Sequence, residues 1–198
     1  MPAAPANAAL RRAVLVVALL NLGYFGLEFA VAVAIGSVSL FADSVDFLED
    51  ASINLLILLA LSWSLKARAR IGMGLAGILL VPTLATLWAL WSKFQLPVPP
   101  APAPLTLTGL GALVVNFSCA MLLTRFRHDS GSLTRAAFLS ARNDVFANIG
   151  IVLAGLITVL VPSVLPDVIV GIGIMLINAD AAHDVWRAAR QEHRAAQP

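Results

Sequence analysis

The sequence predicts an all-α membrane protein with six transmembrane helices, and three observations predict it. Its 198 residues are 60% hydrophobic with a mean hydropathy of +0.89. Only 12% are charged, against roughly 25% in ordinary globular domains, so lipid must cover much of the surface that charge covers elsewhere. Apolar runs long enough for a hydrocarbon core about 30 Å thick, which takes about 20 helical residues, recur six times. They fall at roughly 13–35, 38–65, 71–92, 105–124, 133–161 and 164–186.

The first run follows Arg11-Arg12, as a signal peptide would, yet it exceeds the 7–15 residues or so of an h-region. Asn21 and Glu28, seven apart, share one of its faces, and it reads as a membrane helix. Residues 1–12 are expected to be a mobile tail, 13–186 the six-helix domain and 187–198 a short cytoplasmic tail. Breakers separate the runs: Gly36-Ser37, the basic stretch Lys66 to Arg70, the proline-rich stretch Pro97 to Pro104, Asp129-Ser130-Gly131, and Pro162 with Pro166.

Orientation follows from the bases. Twelve of the thirteen lie on one side of the six runs, and Lys93 alone lies on the other. The excess of Lys and Arg on cytoplasmic loops then sets both termini in the cytoplasm, which an even number of spans requires. Such short, separated clusters form no continuous basic patch, so no nucleic-acid partner is expected. Cys119, the single cysteine, excludes a disulfide framework or a Cys-rich zinc site and reads as buried packing.

The second run opens with four acids in eight residues, Asp43, Asp46, Glu49 and Asp50. At about 100° per residue, Asp43, Asp46, Asp50 and Asn54 share a stripe, and Glu49 points away from it. Three ionised carboxylates facing lipid would cost on the order of 7–10 kcal/mol at about 2.5–3.5 kcal/mol each. A polar cavity that holds a cation avoids that cost. An extramembrane amphipathic stretch, or purely structural hydrogen bonds, are the other readings of the same stripe.

Residues i and i+4 are helical neighbours, so Asp46 and Asp50 can clamp one ion. A transition-metal ion wanting about four ligands needs a second helix, and the fifth run offers Asp144, with Ser140 four residues before it and Asn148 four after. At 1.5 Å per residue, Asp50 lies about 18 Å below the outer end of its helix, Asn148 about 20 Å and Ser140 about 31 Å. Level matching thus favours Asn148 as a further ligand.

The pattern Gly36-Ser37-Val38-Ser39-Leu40 with Asp43-Ser44-Val45-Asp46-Phe47-Leu48-Glu49-Asp50, and Arg142-Asn143-Asp144 in the fifth helix, resembles the cation diffusion facilitator family of divalent metal/proton antiporters. Asn21 and Glu28 in helix 1 and Pro166-Asp167 opening helix 6 extend the likeness over nearly the whole chain. The resemblance implies a bundle of the same kind, in a short form without the family's C-terminal cytoplasmic domain. It also implies a transport site made of Asp46, Asp50, Ser140 and Asp144. Ser140 departs from the family's usual His or Asp, so Asn148, Ser140 and water all remain candidates for the fourth ligand, with Asp43 as a partner of the ligand carboxylates.

The implied activity is export of a divalent cation from the cytoplasm in exchange for protons, across a bacterial inner membrane. Zinc comes first by resemblance, with cobalt and cadmium next. The oxygen-rich donors lean towards manganese or iron. No cofactor is expected beyond the transported ion. Small residues on helix 3, Gly72, Ala76 and Gly77, suit either a homodimer interface or packing within the chain. Asn21 and Glu28 suit a cavity lining, a proton relay or helix packing. Asp180, His183 and Asp184 suit a metal entrance or a solvated helix end. A non-transporting metal sensor or scaffold and a passive cation channel are the alternatives. No Gly-x-Gly-Asp, His-Glu-x-x-His or Gly-x-Ser-x-Gly motif supports a hydrolase, and no enzymatic activity is expected.

Overall fold

The computed structural model describes residues 5–60, 80–125 and 132–179, which form six helices. In chain order these are α1 (Pro5–Ile35), α2 (Val38–Ala60), α3 (Leu80–Gln95), α4 (Pro102–Thr124), α5 (Ser132–Leu160) and α6 (Leu165–Ala179). Among the described residues, three segments are long and apolar enough to cross a membrane: Ala8–Ile35, Pro102–Thr124 and Ala141–Leu160. The 23-residue α2 has the length but carries the four acids, and α6 is a shorter apolar helix within the described residues. The basic stretch from Lys66, Gly72, Ala76 and Gly77, the Asp180–His183–Asp184 group and the tail from 187 onward lie outside the described residues.

Two helices start earlier than the sequence reading placed them. α1 begins at Pro5 rather than 13, because the Ala-rich lead-in favours helix and a proline in the first turn loses no hydrogen bond. α4 begins at Pro102, inside the stretch read as a breaker, for the same reason.

The turn between α1 and α2 is only Gly36 and Ser37. Gly36 has φ +62°, the left-handed conformation that ends many helices and that glycine adopts without strain. The Ser37 N–H then donates back to the Ala32 carbonyl at 3.0 Å, the Schellman pattern. Ser37 also caps α2, its hydroxyl oxygen accepting the Leu40 N–H at 3.2 Å. The remaining donors of the first turn go to Asp167 of α6, which is fully buried. Its carboxylate accepts the N–H groups of Val38 (2.8 Å) and Ser39 (3.1 Å) and the hydroxyls of Ser37 and Ser39 (2.6 Å each). A negative charge at a helix N-terminus is also favoured by the helix dipole.

Asp167 thus fastens α6 to the start of α2, and Gly171, one turn on, lets the backbones meet. A Cβ there would sit 3.1 Å from Ser39 N and from the Val38 carbonyl carbon. From α3, Lys93 donates to the Gly36 carbonyl at 2.6 Å.

α1 packs along α2 and α4 along α5; α1 also meets α4, α2 meets α5, and α3 leans on α2. Tyr24 ties α1 to α4 by donating to the Thr108 carbonyl at 2.6 Å, and its ring lies 5.0 Å from that of Phe47. Apolar clusters bracket the bundle. One gathers Leu10, Val14 and Val17 with Cys119 and Leu123, and another gathers Ala32, Leu40, Leu105, Ile151 and Ile174.

The layer between them is polar, while the outer surface is apolar. Asn21, Glu28, Asp43, Asp50, Asn54, Asn116 and Asn148 are buried, whereas Leu19, Val33, Trp88, Phe117 and Leu160 are exposed. That inversion of the water-soluble pattern suits a lipid environment.

Candidate functional site

The polar layer is built on α2. Asp43, Asp46, Asp50 and Asn54 are all buried, at 0, 8, 5 and 1% exposure, so the whole stripe faces the bundle interior. Helical periodicity makes this unavoidable once one of them points inward.

Each stripe carboxylate meets a carboxamide from a different helix. Asn21 of α1 donates to Asp50 Oδ2 at 3.4 Å. Asn178 of α6 donates to Asp46 Oδ1. Asn148 of α5 donates to Asp43 Oδ2 at 2.5 Å and in turn accepts from Asn116 of α4 at 3.0 Å. Asn54 turns back on its own helix and donates to the Asp50 carbonyl at 2.8 Å, and the Cys119 thiol contacts Asn21 Oδ1 at 3.5 Å. A neutral donor to an anionic acceptor makes a strong hydrogen bond in a low dielectric. It also orients the carboxylate without neutralising it.

Asp144 of α5 is half-buried and adjoins this layer. Its carboxyl group lies within hydrogen-bonding reach of that of Asp50. Glu49 is half-buried, off the stripe. Among the described residues, no three His, Cys, Asp or Glu side chains close on one point able to hold a metal ion.

Asn148 does not lie where level matching put it. It is engaged with Asp43, which is seven residues and therefore about 10 Å along α2 from Asp50. Helix ends placed at sequence breakers do not fix how α5 is set along α2, which is a matter of tertiary packing. Ser140 falls on α5, but its side chain lies outside the described residues.

Asn116 and Asn178 were not singled out from the sequence. Each is a single amide in an apolar helix, indistinguishable by pattern from a packing residue. Their only signal was the cost of burying an amide without a partner.

A helical bundle that is apolar outside and holds a buried row of carboxylates is the architecture of a membrane protein that handles cations. The chain matches the family model of the cation efflux transmembrane domain over residues 14–192, and it belongs to that family. It is therefore an integral membrane protein with a metal-cation transport domain. No match was found among curated proteins.

Proposed function

We propose that the chain is a secondary transporter which exports a divalent transition-metal cation, zinc foremost, from the cytoplasm in exchange for protons. In this reading residues 13–186 make six spans in a bacterial inner membrane with both termini cytoplasmic, and two copies pair as a homodimer. Asp46, Asp50 and Asp144 are the metal ligands, and Ser140 or water fills the fourth position. The observation that carries this is the α2 stripe itself: three buried carboxylates on one interior face, with Asp144 of α5 reaching Asp50 across the bundle.

Protons and metal compete for the same oxygens. Crowded carboxylates in a low dielectric repel one another, so an empty site retains protons, and a divalent ion must displace them to gain its ligands. The ion also supplies the attraction that draws Asp46 away from Asn178 and towards Asp50 and Asp144. Asn21 and Asn178 then act as partners that orient the ligands. Exposing the site to each side in turn converts this competition into exchange.

An imposed pH gradient tests the coupling. In proteoliposomes an acidic lumen is expected to drive Zn²⁺ inward and an alkaline lumen to drive it outward, followed with a lumenal zinc dye. Flux indifferent to the gradient would identify a passive channel. Zinc binding with no flux under either gradient would identify a sensor or scaffold.

A further inference from the structure

Glu28 stands apart from the other buried acids. It lies on α1 with 0% exposure, and among the described residues neither of its carboxyl oxygens has a hydrogen-bond donor. Asp43, Asp46 and Asp50 each receive an Asn amide, and Glu28 receives none. It is aimed at Asp43, whose carboxyl lies within hydrogen-bonding reach. That group is an acceptor too when ionised, and its Oδ1 is likewise buried without a donor.

Glu28 of α1 and Asp43 of the adjacent α2 thus leave three buried carboxyl oxygens without a donor among the described residues. Isolated ions of this kind are costly to bury. A single shared proton would leave the pair with a net negative charge. A divalent cation would bring it to neutrality and coordinate all three oxygens.

We propose that Glu28 and Asp43 form a second cation-binding subsite, distinct from the one at Asp50 and Asp144, that takes a divalent metal ion through carboxylate oxygens. Asp43 lies about 10 Å along α2 from Asp50, towards the N-terminal end of that helix. In the orientation proposed above, that is the outward side, so an ion leaving Asp50 and Asp144 meets Glu28 and Asp43 before it leaves the bundle. The hydrogen bond from Asn148 fixes the second oxygen of Asp43 and leaves Oδ1 without a donor. A pure oxygen donor set suits hard and borderline divalent ions. The inference rests on the chain's carrying a divalent cation, but not on which residues form the deeper site.

Equilibrium dialysis of the purified protein against Zn²⁺, with bound metal counted by elemental analysis, tests it. The expected stoichiometry is two ions per chain in the wild type and one in Glu28→Gln, an isosteric change that removes the charge. Asp43→Asn, which keeps an oxygen and the helix, is expected to lose the same single ion and serves where Glu28→Gln does not fold. Asp50→Ala is expected to lose the other ion and keep this one. One ion in the wild type, or two in both Glu28→Gln and Asp43→Asn, would overturn the subsite and leave a shared proton as its occupant. Two ions in Asp50→Ala alongside one in Glu28→Gln would instead overturn the deeper site and leave this one standing.

Discussion

In proteoliposomes Asp50→Ala is expected to carry no Zn²⁺ and to move no protons in response to it. Asp50 is the carboxylate where the elements converge, because Asn21 of α1 orients it and Asp144 of α5 reaches it. Without it, Asp46 and Asp144 are left as single ligands on separate helices, and the i, i+4 clamp of α2 is gone. Loss of an outer partner of a ligand already weakens metal binding by about 10- to 100-fold, so loss of a ligand is expected to exceed 100-fold. The variant is expected to fold, since removing a buried carboxylate relieves repulsion rather than creating an unpaired charge. A stopped-flow assay with a lumenal pH dye, run beside size-exclusion chromatography, separates inactivity from misfolding. Undiminished flux in a well-folded Asp50→Ala would sink the assignment.

Asp167→Ala is expected to produce the largest loss of stability. The Asp167 carboxylate accepts four hydrogen bonds from Ser37, Val38 and Ser39, all in the buried first turn of α2. Truncation leaves the Val38 and Ser39 N–H groups without that partner and the Ser37 and Ser39 hydroxyls with only each other, at about 1–3 kcal/mol for each donor left unpaired, and removes a favourable charge from the helix N-terminus. A net loss on the order of 4 kcal/mol follows, since some donors will find water at the helix end. For a chain of this size that is a fall in Tm on the order of 10 °C. Ser118→Ala, whose hydroxyl bonds only to the Val114 carbonyl of its own helix, is the control expected to change little. Thermal unfolding in detergent, followed by intrinsic fluorescence, reads both. A shift for Asp167→Ala no larger than the control's would mean that α6 is held to α2 by packing alone.

The sequence disclosed more about faces than about partners. The α2 stripe was legible because helical periodicity decides which residues share a side, and all four stripe members are buried together. Which group meets each of them depends on how helices cross, and no local pattern carries that. Asn148 illustrates the gap: its place on the fifth helix was plain, but its pairing with Asp43 rather than Asp50 is a matter of tertiary register. Asn178 and Asn116 went unnoticed because an isolated amide in an apolar helix carries no signature until its neighbour is known. Gly36-Ser37 was legible as a breaker, whereas its third partner, Asp167, lies 130 residues from Ser37 along the chain. Prolines misled in the other direction, since the stretch read as a connection supplies the first turn of α4.

In the proposed mechanism one metal ion is held between α2 and α5. Isothermal titration of the purified protein with Zn²⁺, beside Asp144→Ala, tests it most directly, because Asp144 is the only α5 carboxylate among the described residues. The tighter of the wild-type binding events is expected to weaken by at least about 100-fold in Asp144→Ala, while the weaker one is unchanged. An Asp144→Ala isotherm that superimposes on the wild type would contradict it.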